Sequence, residues 1–281
     1  MRKITAGIST SCCYPEYPEL TLKKLCERGV KHLEIFVNTH SETDAGYVKE
    51  LSAILRANGS KCVSLHPFTC GIDTYMLYTG YERRINDYLD YHKRYFEAMN
   101  ILGARYFVLH GNKNRCPIET VIEGYARLDE VAKGFGVKVL QENVCRCTTG
   151  ELWQLKSMKN ALGDQAGFVL DTKQAVRKGF DPYDFVTALG KNIKHVHFSD
   201  HGSAGDCLLP EKGELNTNKF VAALDSVGFE GAIILELYRS GFDTYDDLLK
   251  GLDYIQKAID LLDKKDLSLI HISEPTRLDV I

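Results

Sequence analysis

The sequence has little of what marks membrane proteins or proteins that coat nucleic acids. No apolar stretch approaches the roughly 18 residues that a membrane-spanning helix requires. Positive and negative charges nearly cancel, with 35 Lys and Arg against 38 Asp and Glu and a formal net charge of −3. A strongly basic nucleic-acid-coating protein is therefore excluded. We expect neither a membrane nor a nucleic acid as a partner.

The cysteine pattern also lacks the signature of a disulfide framework. The nine cysteines include no Cys-x-x-Cys pair, and their odd number does not suit complete pairing. The first ten residues lack the apolar core of a secretory signal peptide. We therefore predict reduced thiols and a cytoplasmic protein.

The sequence does contain a regular alternation of short apolar runs and longer segments of helical periodicity. Eight runs rich in Val, Ile, Leu and Phe predict strands at 4–9, 32–37, 62–66, 106–110, 137–142, 167–171, 193–198 and 232–237. The segments between and after them predict helices at 20–28, 45–58, 82–102, 118–135, 151–160, 182–189, 218–227 and 245–262. Such an alternation indicates a parallel sheet covered by helices. Eight repeats without a long linker predict an α/β fold with a single (β/α)8 TIM barrel.

The C-terminal residues break this alternation. The string LSLIHISEPTR, which begins at Leu267, resembles the translation of a transposase adapter used in the preparation of sequencing libraries. We therefore assign residues 1–266 to the barrel and predict that residues 267–281 are a non-native, sequencing-adapter-like tail. The alternative is a genuine flexible extension.

Polar and ionisable residues lie at or near the ends of most predicted strands. In a barrel of this kind the active site lies at the carboxyl ends of the strands. The residues at these ends, each about one strand-helix unit from the next, are Glu34, His66, His110, Glu142, Asp171, His197 and Glu236. We therefore expect a single ring of side chains to collect all seven.

Four of these residues predict a metal site. Glu142, Asp171, His197 and Glu236 come from four successive units, and three carboxylates beside one imidazole would repel one another without a cation. One divalent metal ion resolves this repulsion. Oxygen-rich ligation with one histidine favours Mn²⁺ or Mg²⁺, with Co²⁺, Fe²⁺ and Zn²⁺ as alternatives. Ordinary salt bridges or helix caps at each strand end are the structural alternative.

The segments around these four residues resemble those of a known family. They are VLQEN around Glu142, LDTKQAVRKG around Asp171, KHVHFSD around His197, and EKGELNTNKFVAALDSVGFEG followed by IILELY around Glu236. Nearly all of residues 1–266 resembles the xylose-isomerase-like barrel superfamily of sugar isomerases and epimerases, which also contains apurinic endonucleases and inosose dehydratases. The resemblance implies that the four residues bind one divalent metal ion. It also implies that Glu142 and Glu236 are the catalytic proton-transfer pair.

Two departures from the family pattern argue against an endonuclease. Gln174 stands three residues after Asp171, where many relatives have a histidine, and an amide cannot bind metal well or shuttle a proton. In the loop after the seventh strand, Cys207 and Leu208 follow Asp206 where the endonucleases have an Asp-x-His pair. A three-zinc phosphodiesterase site is therefore incomplete.

The residue types predict proton transfer on a carbohydrate. We expect a divalent-metal-dependent isomerase or epimerase of a sugar, sugar phosphate or related polyol ketone that works through a metal-stabilised enediolate. Loss of a β-hydroxyl from the same enediolate would instead make the protein a lyase of the inosose-dehydratase type. An apurinic-endonuclease-like phosphodiesterase and a non-catalytic sugar-binding barrel are weaker alternatives. The expected partner is a small carbohydrate, and a homo-oligomer is compatible with the sequence.

Further residues near the strand ends are candidates for substrate binding. They are His66, His110, Glu34, Gln174 and Asp200, with a structural role as the alternative for His66, His110 and Glu34, and orientation of a metal ligand as the alternative for Asp200. Phe68, Tyr75 and Trp153 could give a sugar an apolar wall, but core packing is the expected role of all three. Lys173 fits the solvated start of a helix and, alternatively, could attract a phosphate.

Overall fold

Eight short apolar segments form strands that are buried on both faces, as strands between a barrel interior and a layer of helices must be. In this computed structural model, which describes residues 4–68 and 70–272, the barrel strands are β1 (Ile4–Ser9), β2 (His32–Val37), β3 (Lys61–Pro67), β4 (Tyr106–Leu109), β5 (Lys138–Glu142), β6 (Phe168–Asp171), β7 (Ile193–Phe198) and β10 (Gly231–Leu235). Each of these strands contains all or most of the residues of one predicted strand.

The eight strands form one closed parallel barrel in the order β1-β10-β7-β6-β5-β4-β3-β2. β1 pairs with both β2 and β10, which closes the barrel. In the register of β6 with β7, Asp171 lies beside His197. The single (β/α)8 TIM barrel expected from the sequence is confirmed.

The barrel is surrounded by helices that follow its strands in the chain. They are α1 (Pro18–Glu27), α2 (Ala45–Ala57), α3 (Cys70–Met76), α4 (Glu82–Leu102), α5 (Ile118–Lys133), α6 (Leu152–Leu162), α7 (Thr172–Arg177), α8 (Pro182–Leu189), α9 (Thr217–Ser226) and α10 (Tyr245–Ile272). Proline occupies the first turn of α1 and α8, where its missing N–H costs nothing. Among the described helices, none combines the length and the apolarity needed to span a membrane.

Some elements of the structure are absent from the sequence-based prediction. α3 and α7 are too short for helical periodicity to be visible in the sequence. The loop after β7 contains an antiparallel hairpin of β8 (Asp200–Gly202) and β9 (Gly205–Leu208). α7 and the hairpin both lie next to the carboxyl ends of β6 and β7.

The C-terminal helix extends past the residue at which the sequence predicts that the barrel domain ends. α10 runs to Ile272, past residue 266. Residues 273–281 of the predicted tail lie outside the described residues. The boundary at 266 and the non-native origin of the tail therefore stay predictions.

The strand pleat places the functional residues above an apolar interior. Val108, Leu140 and Val169 form a small apolar cluster on β4, β5 and β6. Because side chains two residues apart share a strand face, Glu142 follows Leu140 and Asp171 follows Val169 on the same faces. The acidic residues therefore lie at the carboxyl end of the barrel, above this cluster.

Candidate active site

Four side chains from β5, β6, β7 and the end of β10 converge at the mouth of the barrel. Glu142, Asp171, His197 and Glu236 are all buried, and each offers one ligand atom within 4.8 Å of the others. Nδ1 of His197 lies 3.4 Å from Oε1 of Glu142 and 3.3 Å from Oε2 of Glu236. The structure thus brings together the four residues that the sequence predicts as metal ligands. We call them the acidic cluster.

Glu34 orients the His197 ring from the opposite side. Its Oε2 lies 3.1 Å from Nε2 of His197 and 2.9 Å from Nε2 of His195. Ser9 and Ser64 donate further hydrogen bonds to its carboxylate at 3.0 and 2.8 Å. Burial alone would raise the pKa of Glu34, but His197 and His195 lower it well below its usual range. Glu34 is fully buried, and these contacts support a positioning role, whereas its substrate contact stays a prediction.

Two oxygens of the acidic cluster suit a cation. Oε2 of Glu142 and Oδ2 of Asp171 are buried and accept no hydrogen bond of good geometry from the described residues, although Nε2 of His110 and Nζ of Lys173, respectively, lie 3.1 Å away. Oδ1 of Asp171 is already occupied, because it accepts the backbone N–H of Gln174 at 2.9 Å and caps α7. Buried carboxylate oxygens without hydrogen bonds, next to an imidazole nitrogen, are a donor set that fits a divalent metal ion. The acidic cluster can therefore hold such an ion.

Burial and neighbouring charges shift the pKa values of the three carboxylates of the acidic cluster in different directions. Burial raises the pKa of Asp171 to about 6, and the charges of Glu142 and Glu236 contribute to the rise. Burial would also raise the pKa of Glu142, but His110 lowers it below its usual range. The pKa of Glu236 is lowered well below its usual range despite burial, first by His197. Of these three carboxylates, Asp171 is thus the one whose pKa is raised.

His66 and His110 lie beside the acidic cluster. Nε2 of His110 is 3.1 Å from Oε2 of Glu142, and Nδ1 of His66 is 3.6 Å from Oε1 of Glu236. Their rings meet edge to face with centroids 4.7 Å apart. His66, His110 and Glu142 form a second group whose ligand atoms lie within 4.8 Å of one another. Both histidines therefore contact carboxylates of the acidic cluster, and their predicted substrate contact stays a prediction.

Lys173 is a candidate functional residue whose position the sequence did not reveal. The expectation of a solvated lysine is wrong, because only 4% of Lys173 is exposed. Its Nζ lies 3.1 Å from Oδ2 of Asp171 and 3.1 Å from Oε2 of Glu236. Burial alone would lower the pKa of Lys173, but these two carboxylates raise it well above its usual range. The only signal in the sequence is its place two residues after Asp171, at the start of a helix too short to be recognised.

A cavity of about 400 Å³ lies next to the acidic cluster. Four of its nine lining residues are aromatic, and Lys173 and Glu236 are its charged residues. The lining residues are Ser11, Tyr14, Phe36, Asn38, Phe68, Lys173, Glu236, Leu237 and Tyr238. Core packing of Phe68, Tyr75 and Trp153 is a wrong expectation, since 37%, 64% and 55% of these residues are exposed. Of the three, Phe68 lines the cavity.

The sequence matches the family model of the xylose isomerase-like TIM barrel over residues 22–265. The chain belongs to this family. Among curated proteins, it is similar to the inosose isomerase of Bacillus velezensis, with 25% identity over 176 residues that cover 57% of this chain and 61% of that protein. The inosose isomerase of Halalkalibacterium halodurans is 30% identical over 122 residues, which cover 40% of this chain and 43% of that protein. The chain thus matches less than two thirds of the length of these relatives.

Solved structures share the fold of this xylose isomerase-like barrel at low sequence identity. A D-tagatose 3-epimerase-like protein superposes with a TM-score of 0.75 and 19% identity, covering 93% of this chain and 99% of that one. A D-psicose 3-epimerase, in a structure determined in the presence of D-fructose, gives a TM-score of 0.70 and 14% identity, with 92% and 97% coverage. These similarities show the fold.

The side chain of Gln174 contacts the backbone of the loop that follows β5. Its Oε1 accepts a hydrogen bond from the backbone N–H of Cys145 at 3.1 Å. Gln174 is half-buried and is not among the described residues that line the cavity. Its predicted substrate contact therefore stays a prediction.

Asp200 holds the loop that follows β7. Its carboxylate accepts backbone N–H groups of His201 at 2.7 Å, Gly213 at 2.8 Å and Leu215 at 2.9 Å. The residue is fully buried. These contacts fix the hairpin of β8 and β9 against the start of α9, and the predicted substrate contact of Asp200 stays a prediction.

Proposed function

We propose that this protein is a divalent-metal-dependent isomerase or epimerase that moves a proton at the carbon beside the carbonyl of a sugar or related polyol ketone. The observation that carries the proposal is the placement of Glu142 and Glu236 at 3.4 and 3.3 Å from the same nitrogen of His197. Both buried carboxylates belong to one cluster, and Glu236 lines the cavity beside it. The partial similarity to inosose isomerases supports an isomerase.

The acidic cluster is the proposed metal site. A divalent ion held by Glu142, Asp171, His197 and Glu236 would supply positive charge beside the carbonyl oxygen of the substrate. The donor set of three carboxylates and one imidazole favours Mn²⁺ or Mg²⁺, with Co²⁺, Fe²⁺ and Zn²⁺ as alternatives. Glu34 would keep Nδ1 of His197 aimed at this position through its hydrogen bond to Nε2.

The two glutamates are the proposed acid and base. One carboxylate removes the proton from the carbon beside the carbonyl, and the electrons of the broken C–H bond form the C=C bond of an enediolate. If the other glutamate carries a proton and delivers it to the opposite face of the same carbon, the product is an epimer. Delivery to the neighbouring carbon gives aldose-ketose isomerisation. The aromatic walls of the cavity would pack against the apolar face of the sugar.

A panel of ketohexoses and inososes tests the proposal. Each compound is incubated in heavy water with the Mn²⁺-loaded protein and with the metal-free protein, and the products are identified by NMR spectroscopy. An epimer or aldose that forms only with the loaded protein is the expected result. A dehydrated product would replace the proposal with a lyase, and the absence of both product and deuterium exchange for every compound would leave a sugar-binding barrel.

A further inference from the structure

The cavity beside the acidic cluster has a single positive charge among the described residues that line it, and this charge belongs to Lys173. We propose that Lys173 is a catalytic residue whose ammonium group binds a substrate oxygen at the reacting carbons and stabilises the negative charge that develops there. This inference rests on the proposed function and extends it. It adds to the proposed roles of Glu142 and Glu236 a cation that stabilises negative charge on the substrate oxygen.

The contacts of Lys173 leave one donor for a substrate. An ammonium group has three N–H donors. Nζ donates a hydrogen bond to Oε2 of Glu236 at 3.1 Å and forms an ion pair with Oδ2 of Asp171 at 3.1 Å, and these two contacts fix the position of the group. Because Lys173 is a lining residue of the cavity, its third N–H can meet an oxygen of a bound molecule. The burial of Lys173 makes such a bond stronger than it would be in water.

Arg177, a further cation near the cavity, is held by other partners. Arg177 forms a two-point ion pair with Asp206 of the β8-β9 hairpin, with Nη2 at 2.9 Å from Oδ1. Its Nη1 donates a hydrogen bond to the hydroxyl of Tyr238 at 2.6 Å. The Tyr238 ring, which forms a wall of the cavity, has its centroid 5.1 Å from Nζ of Lys173. Arg177 therefore fixes the position of Tyr238 in the cavity wall. Lys173 is the cavity-lining cation that can reach a substrate.

Gln174, which follows Lys173 in the chain, cannot stabilise a negative charge on the substrate in the same way. Gln174 occupies the place where many relatives have a histidine, but its Oε1 accepts the N–H of Cys145. An amide also lacks the positive charge that stabilises an oxyanion. Lys173 precedes Gln174 by one residue on α7, and its longer side chain brings a charge to the cavity.

The contact between Lys173 and Glu236 gives the ammonium group a specific task during proton transfer. When Glu236 takes the proton from carbon, its carboxylate becomes a neutral acid and its bond to the ammonium group weakens. The electrons of the broken C–H bond form the C=C bond, and the π electrons of the carbonyl group move to its oxygen, where a negative charge appears. Lys173 can direct its N–H bonds from Glu236 to this oxygen without giving up a proton. Such an interaction is stronger in the transition state than in the ground state and therefore increases kcat.

Lys173→Met tests this role, with Lys178→Met as the matched control. Lys178 follows the same helix but pairs with Glu151 at 2.9 Å, outside the acidic cluster. Mn²⁺ binding is measured by the loss of the electron paramagnetic resonance signal of free Mn²⁺, and deuterium exchange of the converted sugar gives kcat and KM. For Lys173→Met we expect Mn²⁺ affinity equal to or higher than wild type, because a positive charge has been removed beside two ligands. We expect kcat to fall by about 100-fold to 1,000-fold, with a much smaller change in KM.

Lys173→Gln is the second variant, since it keeps an N–H donor without the charge. Its kcat should fall less than that of Lys173→Met, and both should melt cooperatively by circular dichroism. If Lys173→Met does not fold, the kcat of Lys173→Gln decides the question by the same criterion. Lys178→Met should match wild type in Mn²⁺ affinity and kcat.

Three outcomes overturn the inference, and they differ from one another. Values of kcat within about threefold of wild type in both Lys173 variants would remove Lys173 from catalysis and leave the proposed function intact. A parallel loss of Mn²⁺ affinity and kcat would assign Lys173 to holding Asp171 and Glu236 in place. A wild-type protein that exchanges no substrate would overturn the proposed function together with this inference.

Discussion

Oε2 of Glu34 lies 3.1 Å from Nε2 of His197, beneath the acidic cluster. This hydrogen bond leaves Nδ1 of the same ring facing Glu142 and Glu236. A carboxylate bonded to one imidazole nitrogen fixes the ring orientation and makes the other nitrogen a better metal ligand. Nδ1 of His197 is therefore the nitrogen that we expect at the metal.

Glu34→Gln should weaken metal binding. The amide keeps the shape of Glu34 but loses the charge that faces His197, so Mn²⁺ affinity should fall by about 10-fold to 100-fold. Isothermal titration calorimetry with Mn²⁺ gives the affinity, and Glu50→Gln, a change at an exposed residue of α2, is the control. Equal affinities in the wild type and in Glu34→Gln would contradict the orienting role.

Glu142→Gln and Glu236→Gln should each lower turnover severely and leave the fold intact. Proton transfer by a positioned carboxylate contributes roughly 100-fold to 10,000-fold to the rate, so a loss in this range is expected for each variant. Steady-state kinetics on the converted sugar measures the loss. Glu97→Gln, on the exposed face of α4, should behave as wild type. Wild-type rates in either site variant would remove that glutamate from the proposed acid-base pair.

His92 should make the protein less stable in weak acid. This residue of α4 is buried, and burial lowers its pKa to about 4. The pKa of an unfolded histidine is about 6.5, so between these values the unfolded chain binds a proton that the folded protein does not. The free energy of unfolding should therefore fall as the pH drops from about 6.5 to about 4, by roughly 3 kcal/mol for this group.

His92→Phe isolates this contribution. Phenylalanine keeps an aromatic ring against Tyr88 and Phe107, whose ring centroids lie 3.8 and 5.7 Å from that of His92. Urea unfolding of the variant should depend less on pH between 6.5 and 4 than that of wild type. Parallel curves for the two proteins would show that His92 does not cause the acid dependence.

Removal of residues 267–281 should leave the melting temperature and the Mn²⁺ content unchanged. The expectation follows from the adapter-like string that begins at Leu267. α10 continues to Ile272, so the truncation also tests whether the end of this helix contributes to stability. A large loss of either quantity would show that the tail belongs to the native structure.

The barrel and the convergence of the acidic cluster are predictable from the sequence for a simple physical reason. Apolar strands that end at or next to Glu142, Asp171 or His197 must bring these residues to one rim once the strands are parallel and closed. A residue's position along its strand decides which rim it reaches. No contact between distant residues has to be known.

The roles of Glu34 and Lys173 depend on information that the sequence pattern does not contain. The partners of Glu34 come from β1, β3 and β7, and which of them fills each oxygen depends on side-chain packing inside the barrel. Lys173 belongs to the first turn of α7, which has too few residues for a periodic signal. Composition and spacing therefore identify the candidate residues at the strand ends. They do not show how deeply each side chain is buried or which residues it contacts.

The central claim is that Glu142 and Glu236 transfer the proton on the carbon beside the carbonyl. The most direct measurement is the position of deuterium in the product that the Mn²⁺-loaded protein forms from its sugar in heavy water, determined by NMR spectroscopy. The account predicts solvent deuterium at that carbon with wild type and its near absence with Glu142→Gln or Glu236→Gln. A product that retains the original hydrogen of the substrate would contradict the account, because that hydrogen would have moved without exchange through either carboxylate.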